Sequence, residues 1–148
     1  MPSIIPNYVY TLFASMIVGS LLVVTFSLST VNIKNEAEKQ QLTGLAEYVA
    51  TKSCELLSTI KTDRLSVNFT LNLPSLIGNQ RYWVKLENDS FSAWVSVGYG
   101  TKPQSIERRV PVPSDASASG EFTGGSGSAI LECYSQDAAT YLKLSGGS

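Results

Sequence analysis

The chain has 148 residues, a formal net charge of −1, a pI of about 5.4 and 43% apolar residues. That balance leaves no basic footprint for nucleic acid and no acidic tail. The absence of histidine removes the commonest general base, the commonest transition-metal ligand and every Ser-His or Cys-His pairing, so the expectation is a non-enzymatic protein with no cofactor and no metal.

From Met1 to Ile33 no side chain is charged. Tyr8 to Val31 is about 24 residues, which at 1.5 Å per residue makes a helix of roughly 36 Å, enough to cross a hydrocarbon core of about 30 Å. A secretory signal would show a basic start, a shorter apolar run and a small-x-small cleavage site. Here the basic start is missing and the run is too long. Pro2 and Pro6 oppose helix toward the terminus, and Asn7 offers an N-cap oxygen, so the predicted helix starts at Tyr8. Thr11, Ser15, Ser20, Thr25, Ser27, Ser29 and Thr30 dilute the run with hydroxyls. Thr11, Ser15 and Gly19 step by four, a small-residue face that lets another helix approach. The alternative is that each hydroxyl bonds its own i−4 carbonyl in a passive anchor.

Residues 34–61 contain no proline and carry an apolar stripe at Leu42, Leu45, Ala46, Val49, Ser53, Leu56, Leu57 and Ile60. This is the spacing of an amphipathic helix, with Glu38, Lys39, Glu47, Lys52, Glu55 and Lys61 outward. One helix of about 54 residues, near 80 Å, is therefore expected, with Gly44 its weakest point and the stripe docked on the protein's own following domain. Domain organisation follows: an N-terminal transmembrane or filament-core helix over 1–61 and an all-β head over 62–148.

From Arg64 the period becomes two. Leu65, Val67, Phe69, Leu71 and Leu73 alternate with Ser66, Asn68, Thr70 and Asn72, a half-buried strand. Residues 80–87 and 91–99 flank Asn88-Asp89-Ser90, a hairpin signal that sends Tyr82, Val84 and Leu86 to the same core as Phe91, Ala93, Val95 and Val97. Ile106–Val112, Ala129–Ser135 and Thr140–Leu144 supply three more strands, the first pushed to a sheet edge by Pro111 and Pro113. Six such strands predict an α+β chain whose head is a small antiparallel β-sandwich or barrel. The Gly/Ser/Ala-rich stretch 114–128 reads as a mobile exposed loop or an adaptable subunit contact. Its GGSG lacks the lysine of a phosphate loop.

Cys54 and Cys133 would pair in an oxidising compartment and remain two buried thiols in a reducing one; the pairing is the expectation. Asn68-Phe69-Thr70 and Asn88-Asp89-Ser90 match the N-glycosylation triplet, with Asn68 on the wet face of a strand and Asn88 at a hairpin tip. Lys34 and Lys39 after an uncharged start favour a cytoplasmic C-terminal part, against the cysteines and sequons. A precursor cut from a basic leader would remove the conflict.

An uncharged start, an apolar helix continuing into an amphipathic one, and an all-β head together resemble the type IV pilin superfamily, in particular archaeal pilins and archaellins. The resemblance covers the whole chain as architecture and rests on no strict motif. Ile5 stands where bacterial pilins carry glutamate, no Lys/Arg-Gly leader is visible, and the chain begins at Met1, either a translation start or a processed end. The resemblance implies a structural subunit of an extracellular filament, inserted in the membrane before assembly, bundled with copies of itself through the apolar helix, glycosylated on the head, and presenting the head to an adhesion target on a cell or other surface. From another class comes a single-pass membrane protein whose β head binds the cell wall, as archaellum accessory proteins do.

Overall fold

The computed structural model describes the backbone of residues 4–63, 66–112 and 116–147, and the side chains of all of these except 4, 5 and 61–63. Met1, Arg64, Leu65, Pro113, Ser114 and Asp115 lie outside the described residues, as do the side chains of Ile5 and Lys61. One helix, α1 (Ile4–Asp63), precedes seven strands: β1 (Val67–Leu71), β2 (Tyr82–Asn88), β3 (Ala93–Tyr99), β4 (Arg108–Val112), β5 (Ser117–Thr123), β6 (Ser128–Gln136) and β7 (Ala139–Gly147). The fold is α+β, as the change from helical to alternating periodicity predicts.

The helix begins earlier than Asn7 predicts. Pro6 is its third residue, inside the first turn, where no amide needs an intrahelical acceptor and a missing N–H is harmless. Gly44 does not interrupt it. The chain forms two compact units, residues 1–37 and 38–148. The amphipathic half of α1 thus belongs with the sheet, because its stripe is part of the head's core rather than a continuation of the apolar segment.

In the second unit the strands form one sheet in the order β1-β6-β7-β5-β2-β3-β4, so the expected sandwich or barrel is a single sheet. All pairs are antiparallel except β5 with β7. One sheet face carries Leu71, Val84, Leu86, Val95, Val97, Phe122, Leu131, Cys133, Leu142 and Leu144, which join Leu42, Leu45, Ala46, Val49, Leu56, Leu57 and Ile60 of α1 in one apolar core. Ser53, the polar member of the stripe, is fully buried and donates to the Val49 carbonyl at 2.8 Å, which removes the penalty of a lone buried hydroxyl.

Two further expectations are corrected. The stretch 114–128 contains β5, a central strand between β7 and β2. Ala116, Ala118 and Phe122 are buried while Ser117, Ser119 and Glu121 are exposed, so small residues alternate with polar ones and fit where large ones would not. Phe91 does not join the core. The hairpin turns at 89–92, and the ring is 94% exposed at its tip, whereas Tyr82, Val84, Leu86, Ala93, Val95 and Val97 are buried as expected. The turn is held by Asp89, whose Oδ1 accepts from the Phe91 and Ser92 amides at 2.8 Å each.

Candidate assembly surface

The first unit carries the feature that most needs explaining. Every large apolar side chain from Tyr8 to Ile33 is exposed, and the segment is apolar on all sides with no charge. A helix hydrophobic all round belongs in lipid or among other chains, because water gains nothing from any of its faces. By length and composition the helix can cross a membrane.

Its hydroxyls are prepared for such surroundings. Thr11 donates to the Asn7 carbonyl, Ser20 to Met16, Thr25 to Leu21 and Thr30 to Phe26, while Ser15 reaches back three residues to Leu12, all at 2.8–2.9 Å. No bonded hydroxyl needs water, so each can enter a dry environment without an orphan donor. Thr11, Ser15 and Gly19 remain an exposed row at steps of four. A Cβ added at Gly19 meets nothing within 4 Å, so nothing within the chain requires glycine there.

In the head, Cys133 lies within the apolar core and Cys54 packs half-buried against it. The structure holds them as free thiols where the sequence leads one to expect a bridge. Burial pushes the Cys133 thiol up to about 11 and raises that of Cys54, which keeps both protonated and poorly reactive. Asn68 and Asn88 are both exposed. The Asn88 amide makes a long contact to the Asp89 carbonyl at 3.4 Å.

The sheet face opposite the core holds an arrangement that the alternation alone does not reveal. Glu87 accepts from Trp94 Nε1 at 3.1 Å and Ser96 Oγ at 3.0 Å and pairs with Lys85 at 2.7 Å. Arg109 lies 5.5 Å from the Trp94 ring centre, and Tyr134 stacks on Tyr141 at 5.2 Å. Lys85 and Glu87 share β2 and Trp94 and Ser96 share β3, but the contacts between strands arise through sheet register: Glu87 faces Trp94, and Tyr134 faces Tyr141.

Lys85 first, then Trp94 and Ser96, hold the Glu87 carboxyl below its usual range. A carboxylate depressed in the folded state stabilises the fold above its unfolded pKa and loses that contribution as pH falls through the folded value. Glu87→Gln is therefore expected to lower the unfolding temperature slightly at pH 7, with the difference from the parent shrinking below pH 4. Thermal melts across pH 3–7 check this. A constant difference would contradict it.

A groove of about 430 Å³ runs between Gln41, Leu45 and Tyr48 of α1 and Asn72, Leu73, Pro74, Leu76 and Ile77 of the β1–β2 connection. A second, more polar hollow lies at the hairpin tip beside Phe91. Among the described residues no three His, Cys, Asp or Glu side chains converge as a metal site. Among the described residues, the extended surface with an unmet physical requirement is the apolar segment of α1. Comparisons with protein-family models, curated proteins and solved structures return no match for this chain.

Proposed function

We propose that this chain is the structural subunit of an extracellular filament, a pilin-like protein of the archaeal type, held in the membrane by α1 and then polymerised through that same segment. The supporting observation is the uncharged run from Tyr8 to Ile33, wholly exposed yet with hydroxyls bonded to its own backbone. Such a surface is stable in lipid and equally stable against copies of itself. Moving from one to the other exchanges lipid contact for helix packing, and exclusion of water, at about 25 cal/mol per Å² of apolar area, keeps the assembled core closed. The all-β head stays outside, where its polar sheet face meets the medium.

Gly19→Leu tests the packing. Within the chain the leucine has open space, and helix propensity favours it by up to about 1 kcal/mol, so membrane insertion and head stability should persist. Filament yield should fall about tenfold or more, since a bulky side chain separates helices that the Thr11, Ser15, Gly19 row allows to touch. Filaments at parental yield would show that the segment serves as a lipid anchor and not as an interhelical seam.

A further inference from the structure

Strand β2 joins two poles of the head. At one, Tyr82 starts the strand, and its hydroxyl donates to the Pro74 carbonyl of the β1–β2 connection. At the other, Asn88 ends the strand and leads into the turn at 89–92. Seven residues at about 3.3 Å each separate these poles by roughly 20 Å. The groove lies at the first pole. Leu45 and Tyr48 of α1 form one wall and Leu73, Pro74 and Leu76 the other, so its lining is mainly apolar. Its outer wall is tied down: Ile77 is 1% exposed, donates its amide to the Gln80 carbonyl and accepts from the Gln80 amide, both at 3.1 Å. The groove is therefore formed before anything enters it, and Leu76 remains 45% exposed at its rim.

The second pole carries a complementary shape. A single exposed apolar residue is ordinary on a protein surface, but Phe91 is 94% exposed between two serines on a braced turn. The Asp89 amide donates to the Ser92 carbonyl at 2.9 Å, and Asp89 Oδ1 accepts from the Phe91 and Ser92 amides. An aromatic side chain on a backbone already fixed loses little freedom on docking. The charges agree with the shapes. Beside Phe91, the Asp89 carboxyl is held below its usual range by the Phe91 and Ser92 amides. At the groove pole, Lys39 of α1 and Arg81 at the end of the β1–β2 connection are exposed cations, while the acid there, Glu38, is half-buried against Gly78.

We infer that Phe91 of one copy seats in the groove of the next, so that heads join end to end, hairpin tip to groove. The inference deepens the proposed function and rests on it, since it names a contact between heads where that reading names one between helices. The two surfaces are different patches of the same chain, which makes the contact heterologous. Patches at opposite poles extend the contact in one direction and do not close it on a pair. Burying the ring removes roughly 150–250 Å² from water, against about 1,600 Å² for a typical stable interface. Phe91 is thus an anchor that sets the register of the heads, and packing of α1 supplies the remaining area.

The test places Phe91→Cys and Leu76→Cys in the full chain, singly and together, in the native host, with the parent as control for Cys54 and Cys133. Sheared filaments are treated with a short thiol-to-thiol cross-linker and separated under denaturing conditions. Only the double variant should give a ladder of dimers, trimers and longer species, because its two new thiols lie too far apart to join within one chain. Phe91→Ala should keep the parental melting temperature of the head and shorten the filaments at least several-fold under the same shear. Dimers from Phe91→Cys alone would set tip against tip and overturn the inference. Filaments that give no ladder, or Phe91→Ala filaments of parental length, would also overturn it and leave the filament reading standing. A ladder from the membrane-solubilised double variant, with no filaments at the surface, would support the docking and sink the filament reading.

Discussion

Gly120→Val is expected to unfold the head. Gly120 sits in the middle of the most enclosed part of the sheet, paired with Leu144 on β7 and with Leu86 on β2. Its φ is +113°, and a Cβ there would stand 2.0 Å from the Leu144 carbonyl oxygen and 2.8 Å from its amide nitrogen. Both are backbone atoms, so no rotamer change relieves the clash. The parallel β5–β7 pairing must separate or the strand must rotate. Strain at the positive φ and the lost ladder bonds together come to about 4–5 kcal/mol, against a typical domain stability of about 5–15 kcal/mol. Gly100→Ala provides the control: its φ is +106° but an added Cβ meets nothing within 4 Å, so backbone strain acts alone and the loss should be nearer 1 kcal/mol. Thermal unfolding of the two variants separates the effects. A Gly120→Val melt within a few degrees of the parent would show that β5 is not the central strand described.

Val23→Asp is expected to leave a folded chain that neither inserts nor assembles normally. Val23 is 66% exposed within the uncharged segment, so the substitution disturbs no contact within the head. An aspartate near the middle of a membrane helix raises the insertion free energy by about 3 kcal/mol, and the same carboxylate in a dry helix bundle finds no basic side chain among residues 1–33. Three kcal/mol is about a hundredfold in an equilibrium constant, and every copy in a polymer carries the defect. Microscopy of surface material should show no filaments, and membrane fractions should hold less of the protein, while head melting stays at the parental value. Val23→Leu should behave as the parent. Normal filaments from Val23→Asp would mean that this position faces water after assembly.

How far the sequence discloses this structure depends on which physical signal each element carries. The helix is legible almost throughout, because its two halves announce themselves by different means, continuous apolarity and then a 3.6-residue stripe. Its start is misplaced only because Pro6 is tolerated in a first turn. Strands β1, β2 and β3 are legible from alternation of large apolar residues. Strand β5 is not, since its core-facing positions before Phe122 are the buried Ala118 and the half-buried Gly120. Small residues between serines look like linker composition, although the period of two is already present in Ala116, Ala118, Gly120 and Phe122. The single parallel pair and the meeting of Glu87 with Trp94 depend on long-range register, which no local pattern fixes. Phe91 fails for a related reason: apolar alternation continues through it, but Asp89 bonds the Phe91 and Ser92 amides and extends the turn through Ser92. On the candidate assembly surface, the exposed row Thr11, Ser15 and Gly19 is visible in the sequence. The internal bonds of the hydroxyls, also anticipated there as an alternative, prove compatible with it, because a hydroxyl bonded to its own backbone still leaves a small, close-packing face.

In the proposed function α1 exchanges lipid for copies of itself. The most direct measurement is negative-stain microscopy of material sheared from the surface of the native host, with mass-spectrometric identification of its protein. Thin filaments whose main protein is this chain are the expected result. Recovery of the chain only from membranes, as a monomer in detergent and absent from the sheared fraction, would contradict it.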